Sequence, residues 1–368
     1  MLMYDYYPTR MLDLVTSRQL DSLASGKQLY RRITRAKRLY LLLGAVSLAI
    51  VLIIDVLVGP SGLPHRQVVS AIALPSAADA PTWAIVWLIR LPAATMALVV
   101  GASLGIAGAE MQTILANPLA SPYTLGVAAA SGFGAALGLV LGVGLLPLAT
   151  GFLVPVNAFI LALLCSFSVY AVSRLRRASV ESLVLTGIAF HFLFSALLAL
   201  LQYMATQEQL QAIVFWLFGS LSKATWTGVA IVGSTLLVTL PIFARDAWML
   251  TALRLGDAKA ESLGIDVRRL RRRVLVLTSI LAAMATCFVG TIGFIGLAAP
   301  HIARMLVGED QRFFMPLSAL NGALVLTVAS IVSKALVPGI VFPIGIITSF
   351  VGIPFFLSLV LIRRSRYW

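Results

Sequence analysis

The sequence contains few charged residues. Only 11% of its 368 residues are Asp, Glu, Lys or Arg, and 60% are hydrophobic, whereas a soluble domain usually carries about a quarter charged residues. The apolar residues form long runs, and the run from 39 to 58 is interrupted only by Asp55. A run of this length can cross a bilayer core of roughly 30 Å. The composition therefore argues against a water-soluble enzyme and predicts an all-α polytopic membrane protein.

Cysteine is scarce, and a nucleotide-binding motif is missing. The two cysteines, Cys165 and Cys287, lie inside apolar runs without the spacing of a metal site. No segment matches the phosphate-binding pattern G-x-x-x-x-G-K-[ST], and Gly26-Lys27 lacks both the upstream glycine and the following Ser or Thr. We therefore expect no metal site, no cofactor and no enzymatic activity, with ATP hydrolysis, if any, supplied by a partner.

Acidic residues are outnumbered two to one, which gives a net charge of +14. A nucleic-acid-binding protein would carry this charge on a folded basic face with aromatic side chains for stacking. Most Lys and Arg instead lie in short segments between apolar runs, as expected for loops on the cytoplasmic side of a membrane. The excess of basic residues therefore indicates membrane topology and not nucleic acid. The basic segments are 1–38, 174–177, 245–273, 304–312 and 363–368.

The apolar runs predict ten transmembrane helices with both termini in the cytoplasm. Residues 1–38 would form a cytoplasmic N-terminal arm, and 39–368 the membrane domain. The eighth span is short, so we expect it to pack inside the protein, where a broken helix is tolerated. Residues 207–222 are predicted to form an interfacial helix on the periplasmic side. The predicted spans are 39–58, 92–115, 123–147, 152–173, 182–204, 226–244, 274–291, 295–307, 316–336 and 344–362.

Five ordered groups of motifs resemble the FecCD type of ABC importer permease, a family that imports iron-siderophores, haem and vitamin B12. The groups are Arg90-Leu91-Pro92; Gly108 to Gln112 with Asn117 to Pro122; Leu255 to Gly264; Gly293 to Leu297 with Pro300 to Arg304; and Pro343 to Gly345 with Gly352 to Phe356. One departure is that the acidic residue usual near Ser330 is missing and Lys334 stands where arginine is usual.

The resemblance implies a type II ABC importer permease with inverted repeats in a bacterial inner membrane. It implies a homodimer with the pore on the two-fold axis, although a heterodimer with a related permease stays open. Its partners would be a dimer of cytoplasmic ATPase subunits and a periplasmic substrate-binding protein.

The connection 245–273 is the predicted contact with the ATPase. Asp257 to Leu263 can form a short helix between Gly256 and Gly264, and a second short helix would begin at Asp266. We expect Ala258, Ala260 and Leu263 to form an apolar contact face, with Lys259 and Glu261 at its rim.

A second predicted site is a turn at the cytoplasmic gate, formed by Asn117, Pro118, Ser121 and Pro122. The prolines stop the helices on either side, and the Asn side chain can satisfy free backbone groups. At the periplasmic side, Arg66 and Lys334 are isolated basic residues that could dock an acidic patch on the binding protein.

Several polar or aromatic residues inside the spans are candidates for the translocation path. For each one a structural alternative remains: Glu110 can be a buried structural carboxyl, His191 a packing residue, and His301 a cap for free carbonyls. The candidates are Glu110, Gln112, His191, Trp216, Pro300 and His301.

Other functions remain open at this stage. An ion-coupled secondary transporter would use Glu110 as proton carrier, because an ionisable group within a span is a functional candidate. A membrane enzyme would need a catalytic cluster, which the sequence lacks. For an importer, the substrate could be an iron-siderophore, haem, cobalamin or an oxyanion, and we expect an iron-siderophore or haem.

Overall fold

The protein is a bundle of helices. The computed structural model describes residues 9–146, 150–175 and 180–362, which contain no β-strand. A π-helical turn, Ile85–Arg90, joins α3 to α4. The helices are α1 Thr9–Leu57, α2 His65–Ala73, α3 Ala80–Ala84, α4 Leu91–Ile114, α5 Val127–Leu141, α6 Leu153–Leu175, α7 Val180–Met204, α8 Gln207–Leu217, α9 Trp226–Leu253, α10 Asp257–Ser262, α11 Val267–Val289, α12 Ile295–Val307, α13 Gln311–Ala335 and α14 Ile344–Ile362.

Ten of these helices are apolar enough to lie in a membrane. Within the described ranges, seven are long enough to cross it, and the shorter apolar helices are Val127–Leu141, Ile295–Val307 and Ile344–Phe355. Their order follows the predicted spans, which confirms the all-α polytopic fold. Of the remaining four, α3 precedes α4 in one continuous apolar segment, Ala80–Ile114, and α2, α8 and α10 lie in connections. α8 covers residues 207–217 of the helix predicted at 207–222.

Glycines place α4 at the centre of the bundle. A Cβ atom on Gly101 or Gly105 would overlap backbone atoms of α13, and one on Gly108 would overlap the carbonyl of Gly296 in α12. Small residues at this spacing allow helix backbones to touch. The three glycines therefore hold α4 directly against α12 and α13.

The first span is part of a much longer helix than predicted. α1 runs without a break for 49 residues, so the arm and the first span are one element. At 1.5 Å per residue, residues 9–38 extend about 45 Å beyond the apolar segment. Lys37 lies over the ring of Phe313, 5.4 Å from its centroid, and ties this extension to α13. Residues 1–8 lie outside the described part of the chain.

The connection predicted at 245–273 is shorter than expected. α9 continues to Leu253 and α11 begins at Val267, so the second short helix expected after Asp266 is the first part of α11. The Asp266 cap itself is present, and its side chain accepts a hydrogen bond from the Arg269 backbone at 2.9 Å. The boundary was wrong because hydropathy marks only the apolar part of a helix, whereas Arg and Leu extend helices readily in water.

A similar cap begins α13 after a sharp turn at Gly308. Asp310 accepts a hydrogen bond from the Arg312 backbone at 3.2 Å and pairs with its guanidinium at 2.7 Å. The hydrogen bond from the Arg312 side chain lowers the pKa of Asp310 below its ordinary value. The carboxylate therefore stays ionised at neutral pH, which suits the N-terminus of a helix.

The bundle has two ends, which we name by their short helices. At the α2 end, Arg90 donates hydrogen bonds to the last carbonyls of α1, those of Val56 and Leu57, at 3.1 and 2.8 Å. At the α10 end, α4 finishes at Ile114, whose carbonyl accepts a hydrogen bond from Arg271 of α11. The second span thus runs from the α2 end to the α10 end.

Candidate functional site

A cavity of about 610 Å³ lies between α4, α5, α11, α12 and α14. Among the described residues its wall has no charged side chain. The polar lining consists of hydroxyl groups, and most of the rest is apolar. The hydroxyl groups belong to Ser121, Tyr123, Thr286, Thr291 and Ser349, and the larger apolar side chains to Leu104, Leu217, Phe218, Phe294, Phe350 and Ile353.

Three irregular segments close one side of this cavity. The Ser220 backbone N–H donates to Val289 at 2.8 Å, and the N–H groups of Ile344 and Gly345 donate to Gly219 and Phe218 at 3.0 and 2.9 Å. Non-helical backbone at membrane depth is stable only where its polar groups find partners inside the protein. These bonds therefore hold the segments 218–220, 289–294 and 343–345 together.

Phe294 has an unusual backbone conformation at the cavity wall. It caps the start of α12 with a φ of 66°, a left-handed conformation that is rare for a bulky residue. Its ring occupies the space that a side chain at position 352 would need, and Gly352 leaves that space open. The Phe294 ring thus packs against α14 beside the cavity.

The four predicted gate residues form one turn at the α10 end. The Asn117 side chain accepts a hydrogen bond from the Leu119 backbone at 2.9 Å, and Ala116 before it has a φ of 46°. Ser121 and Pro122 line the cavity, and Pro118 lines a small adjoining pocket. The turn therefore borders the cavity at its α10 end.

Most of the predicted path residues do not line this cavity. Glu110, Gln112 and Pro300 are buried between helices, and His191 on α7 lies outside the lining. None of these four lines the cavity, and their place on the translocation path stays a prediction. The selection rested on chemically rare side chains, whereas the wall consists of ordinary hydroxyl and apolar residues.

The other two candidates border separate pockets. His301 contacts Phe355 edge-on, with ring centroids 5.9 Å apart, in the pocket next to Pro118. Trp216 lines a cavity of about 400 Å³ that also contains Glu208 and Lys223. Two groups of residues singled out from the sequence do line the main cavity, namely Ser121 and Pro122 of the predicted gate and the motif Gly293 to Leu297.

Glu110 is an unusual buried group. Its side chain is fully buried, and neither carboxyl oxygen has a hydrogen-bond partner among the described residues. Gln112, one half-turn further, accepts a hydrogen bond from Arg304 at 2.8 Å. The last turns of α4 are thus packed inside the bundle and held by α12.

A polar network surrounds the end of α4. Arg304 also pairs with Glu309 at 3.1 Å, and Glu309 receives a second arginine, Arg254, from the end of α9. Gln311 at the start of α13 donates to the Thr113 hydroxyl at 2.7 Å. These contacts tie α4, α9, α12 and α13 together next to α10.

The short helix α10 has the predicted glycine at each end. Gly256 and Gly264 have φ values of 95° and 81°, which residues with side chains rarely adopt. Asp257, Glu261 and Leu263 are exposed, and Leu263 is 50% accessible. Ala260, in contrast, is fully buried against the bundle, so its assignment to the exposed contact face was wrong. Because α10 is helical, its residues face different sides, and Ala260 lies on the side that faces the bundle.

At the α2 end, the two predicted docking residues differ. Arg66 is exposed on α2. Lys334 is not an isolated surface charge, because its ammonium lies 2.7 Å from the carboxylate of Asp55, and the two side chains are 11% and 0% exposed. The prediction that Lys334 docks a partner was therefore wrong. Asp55 on α1 supplies the acidic partner that the sequence around Ser330 lacks.

These features together are those of a membrane-embedded transport subunit, with ten apolar helices, a cavity among five of them whose described lining has no charged side chain, and a short exposed helix at one end. Residues 47–363 match the model of the FecCD transport family. The chain belongs to this family.

Two relatives illustrate the similarity. An ABC transporter permease protein of Methanocaldococcus jannaschii is 36% identical over 92% of this chain and 99% of its own length. The hemin transport system permease protein HmuU of Yersinia pestis is 37% identical over 76% of this chain and 84% of its own.

The fold agrees with a solved structure described as an inward-facing conformation of a metal-chelate type ABC transporter. That chain has a TM-score of 0.76 and 31% identity, over 87% of this chain and 98% of its own length. The protein is thus the non-catalytic permease subunit of an ABC importer, and a separate subunit hydrolyses ATP. This assignment replaces the alternatives of a secondary transporter and a membrane enzyme.

Proposed function

We propose that the permease imports a metal chelate, either an iron-siderophore or haem, from a periplasmic binding protein into the cytoplasm. The observation that carries the proposal is the cavity without charged side chains. A bare oxyanion in such a cavity would lose its hydration without gaining enough polar partners. A chelate encloses its metal in an organic shell, which apolar and hydroxyl-bearing walls can accommodate.

The names of the similar proteins support this substrate class. The Yersinia pestis relative is named for hemin transport, and the similar structure is described as metal-chelate type. Cobalamin is a bulky chelate as well, so the wall chemistry is compatible with it and disfavours mainly the oxyanion.

We propose that two copies of the chain form a homodimer around the path. Phe350 and Ile353 line the cavity and are also exposed, with Phe350 74% accessible, and Val351 beside them is exposed too. A second copy related by a two-fold axis would cover this apolar strip with its own. The two cavities would then face each other and form one path.

The partners are assigned to opposite ends of the bundle. The basic segments support a cytoplasmic position for the α10 end, where the ATPase would contact Gly256, Asp257, Glu261, Leu263 and Gly264. At the periplasmic α2 end, Arg66 remains the candidate for docking the binding protein. Both termini would be cytoplasmic in the bacterial inner membrane, although residues 363–368 lie outside the described ranges.

The test is ATP-driven uptake into proteoliposomes that contain the permease, its ATPase and its binding protein. Ferric siderophore, haemin, cobalamin and molybdate are supplied separately. We expect uptake of haemin or a ferric siderophore, and a strong reduction by Ser349→Asp, which places a charge in the wall. Uptake of molybdate alone would contradict the proposed substrate class.

A further inference from the structure

We propose that Arg271 is a positioning residue that transmits movement of α10 to the gate turn, residues 115–122. The inference rests on the proposed role of α10 as the ATPase contact. The sequence does not distinguish Arg271 from its neighbours in the run Arg268 to Arg273, and its role becomes visible only through its contacts.

The guanidinium of Arg271 joins α10 to α4. Its terminal nitrogens donate to both carboxylate oxygens of Asp257, the first residue of α10, at 2.7 and 2.8 Å. Its Nε donates to the carbonyl of Ile114, the last residue of α4, at 3.1 Å. A planar guanidinium presents five donors in a rigid fork and so fixes the relative position of two groups, whereas an ammonium is a point charge on a flexible stem and fixes it less well.

Among the described residues, the carbonyl of Ile114 at the end of α4 accepts no backbone hydrogen bond from the turn that follows. The three carbonyls before it, those of Met111, Gln112 and Thr113, accept hydrogen bonds from backbone N–H groups of residues 115–117. The last carbonyls of a helix lack partners within the helix, and Arg271 supplies one for Ile114. The Arg271 side chain is thus hydrogen-bonded to the last residue of α4, directly before the gate turn.

The neighbouring arginines have other roles. Arg273 pairs with the buried carboxylate of Asp246 at 2.7 Å and fixes α11 to α9. Arg272 is exposed and has no ion pair among the described residues. Among the hydrogen bonds and ion pairs of the described residues, Arg271 is the arginine at the start of α11 that contacts both α10 and the end of α4.

The geometry gives α10 a direct connection to the gate. A displacement of α10 pulls on Asp257, and the bidentate pair carries the displacement through Arg271 to the end of α4. On its other side, α4 is held by Arg304 through Gln112, so the gate turn moves relative to α12. Exposed ion pairs contribute little to stability, so removal of Arg271 should leave the fold intact and impair the transmission.

The experiment uses the full permease with its ATPase and binding protein in nanodiscs. A spin label at Leu119→Cys, an exposed position in the gate turn, reports the distance between the two copies with ATP and vanadate. The native cysteines are buried and should remain unlabelled. ATP hydrolysis is measured with and without the binding protein.

In the wild type we expect ATP and vanadate to change the distance between the spin labels at position 119 of the two copies. Arg271→Gln should keep ATPase binding and basal hydrolysis, lose the shift, and reduce stimulation by the binding protein about fivefold or more, the scale of a typical coupling between sites. Arg271→Lys should recover only part of the effect. Arg272→Gln removes the same charge at the adjacent position and should behave as the wild type.

A charge exchange separates transmission from simple stabilisation of the connection. Asp257→Arg combined with Arg271→Asp restores the ion pair but leaves Ile114 without a donor, so we expect coupling to remain impaired in complexes that still bind the ATPase. Because Asp257 also lies in the proposed ATPase contact, binding of the ATPase is measured on the same preparation. Full recovery in this double variant, or an unchanged shift in Arg271→Gln, would overturn the inference. If the wild-type permease fails to bind the ATPase through α10, the proposed function fails first and the inference falls with it.

Discussion

At the residue scale, buried charged side chains near the α2 end have partners on other helices. Asp55 on α1 and Lys334 on α13 are 279 positions apart and form one buried pair. Arg90 on the π-helical turn donates to the last carbonyls of α1. A charge inside a membrane protein is tolerated when it is paired or capped in this way, so these residues position α1 against the rest of the bundle.

We predict that Lys334→Met destabilises the protein by about 3 to 5 kcal/mol, because it leaves the Asp55 carboxylate buried without its partner. Thermal unfolding in detergent measures the loss. Arg66→Met removes an exposed charge at the same end and should leave the melting temperature unchanged. Since Asp55→Asn removes the stranded charge, it should restore part of the stability when combined with Lys334→Met. An equal melting temperature for Lys334→Met and the wild type would contradict the pairing.

At the scale of elements, the central helix α4 is held by contacts that require glycine. Gly108 touches the backbone of Gly296 in α12, and Gly101 touches the backbone of α13. The same helix ends at the gate turn and forms part of the cavity wall through Leu104. Its position therefore sets both the width of the cavity and the place of the turn that we predict to be the gate.

Gly108→Ala should destabilise the protein by about 1 to 3 kcal/mol, because the new methyl group overlaps backbone atoms that cannot move aside. Gly233→Ala is the matched control, since a Cβ there meets only Val99 at 3.8 Å and alanine favours a helix. Thermal unfolding should show a clear fall in the melting temperature for Gly108→Ala. For Gly233→Ala the melting temperature should rise or fall much less. Equal stability would show that α4 and α12 are less tightly packed.

The exposed end of α10 provides a second prediction at this scale. Leu263→Asp should insert and assemble normally but lose ATPase association, because a charge replaces the apolar side chain that the ATPase would cover. Leu74→Asp makes the same change at an exposed position of the opposite end and should leave association intact. Co-purification of the ATPase measures both. Transport at the wild-type rate by Leu263→Asp would place the ATPase contact elsewhere.

At the scale of the whole molecule, the two ends of the bundle differ in charge. Arginines are concentrated at the α10 end, from Arg254 through the start of α11 to Arg304 and Arg312. At the α2 end, Arg90 and Lys334 make internal contacts and Arg66 is exposed. This asymmetry supports an orientation with the α10 end in the cytoplasm.

Reporter fusions should therefore be cytoplasmic at residue 260 and periplasmic near residues 75 and 210. Fusions after 177 and 368 should also be cytoplasmic, and these two positions lie outside the described residues. A periplasmic signal at 260 would overturn the orientation and, with it, the ATPase contact.

The purified chain alone should hydrolyse no ATP, because the sequence has no phosphate-binding loop and a separate subunit of the importer supplies this activity. A colorimetric phosphate assay measures the rate before and after a stringent wash. A rate that survives removal of every co-purified ATPase would contradict the prediction.

The ten apolar helices, their order, the glycines at the ends of α10 and the family could all be predicted from the amino-acid sequence, because hydropathy, charge and short motifs are local properties of the chain. Only the tertiary structure revealed four other features. These are the cavity wall, the burial of Ala260, the ion pair between Lys334 and Asp55, and the hydrogen bond from Arg271 to Ile114. Each of these depends on which face of a helix meets another helix far away in the sequence. Common residues such as Thr286 and Ser349 carry no local sign of that contact until the helices are packed.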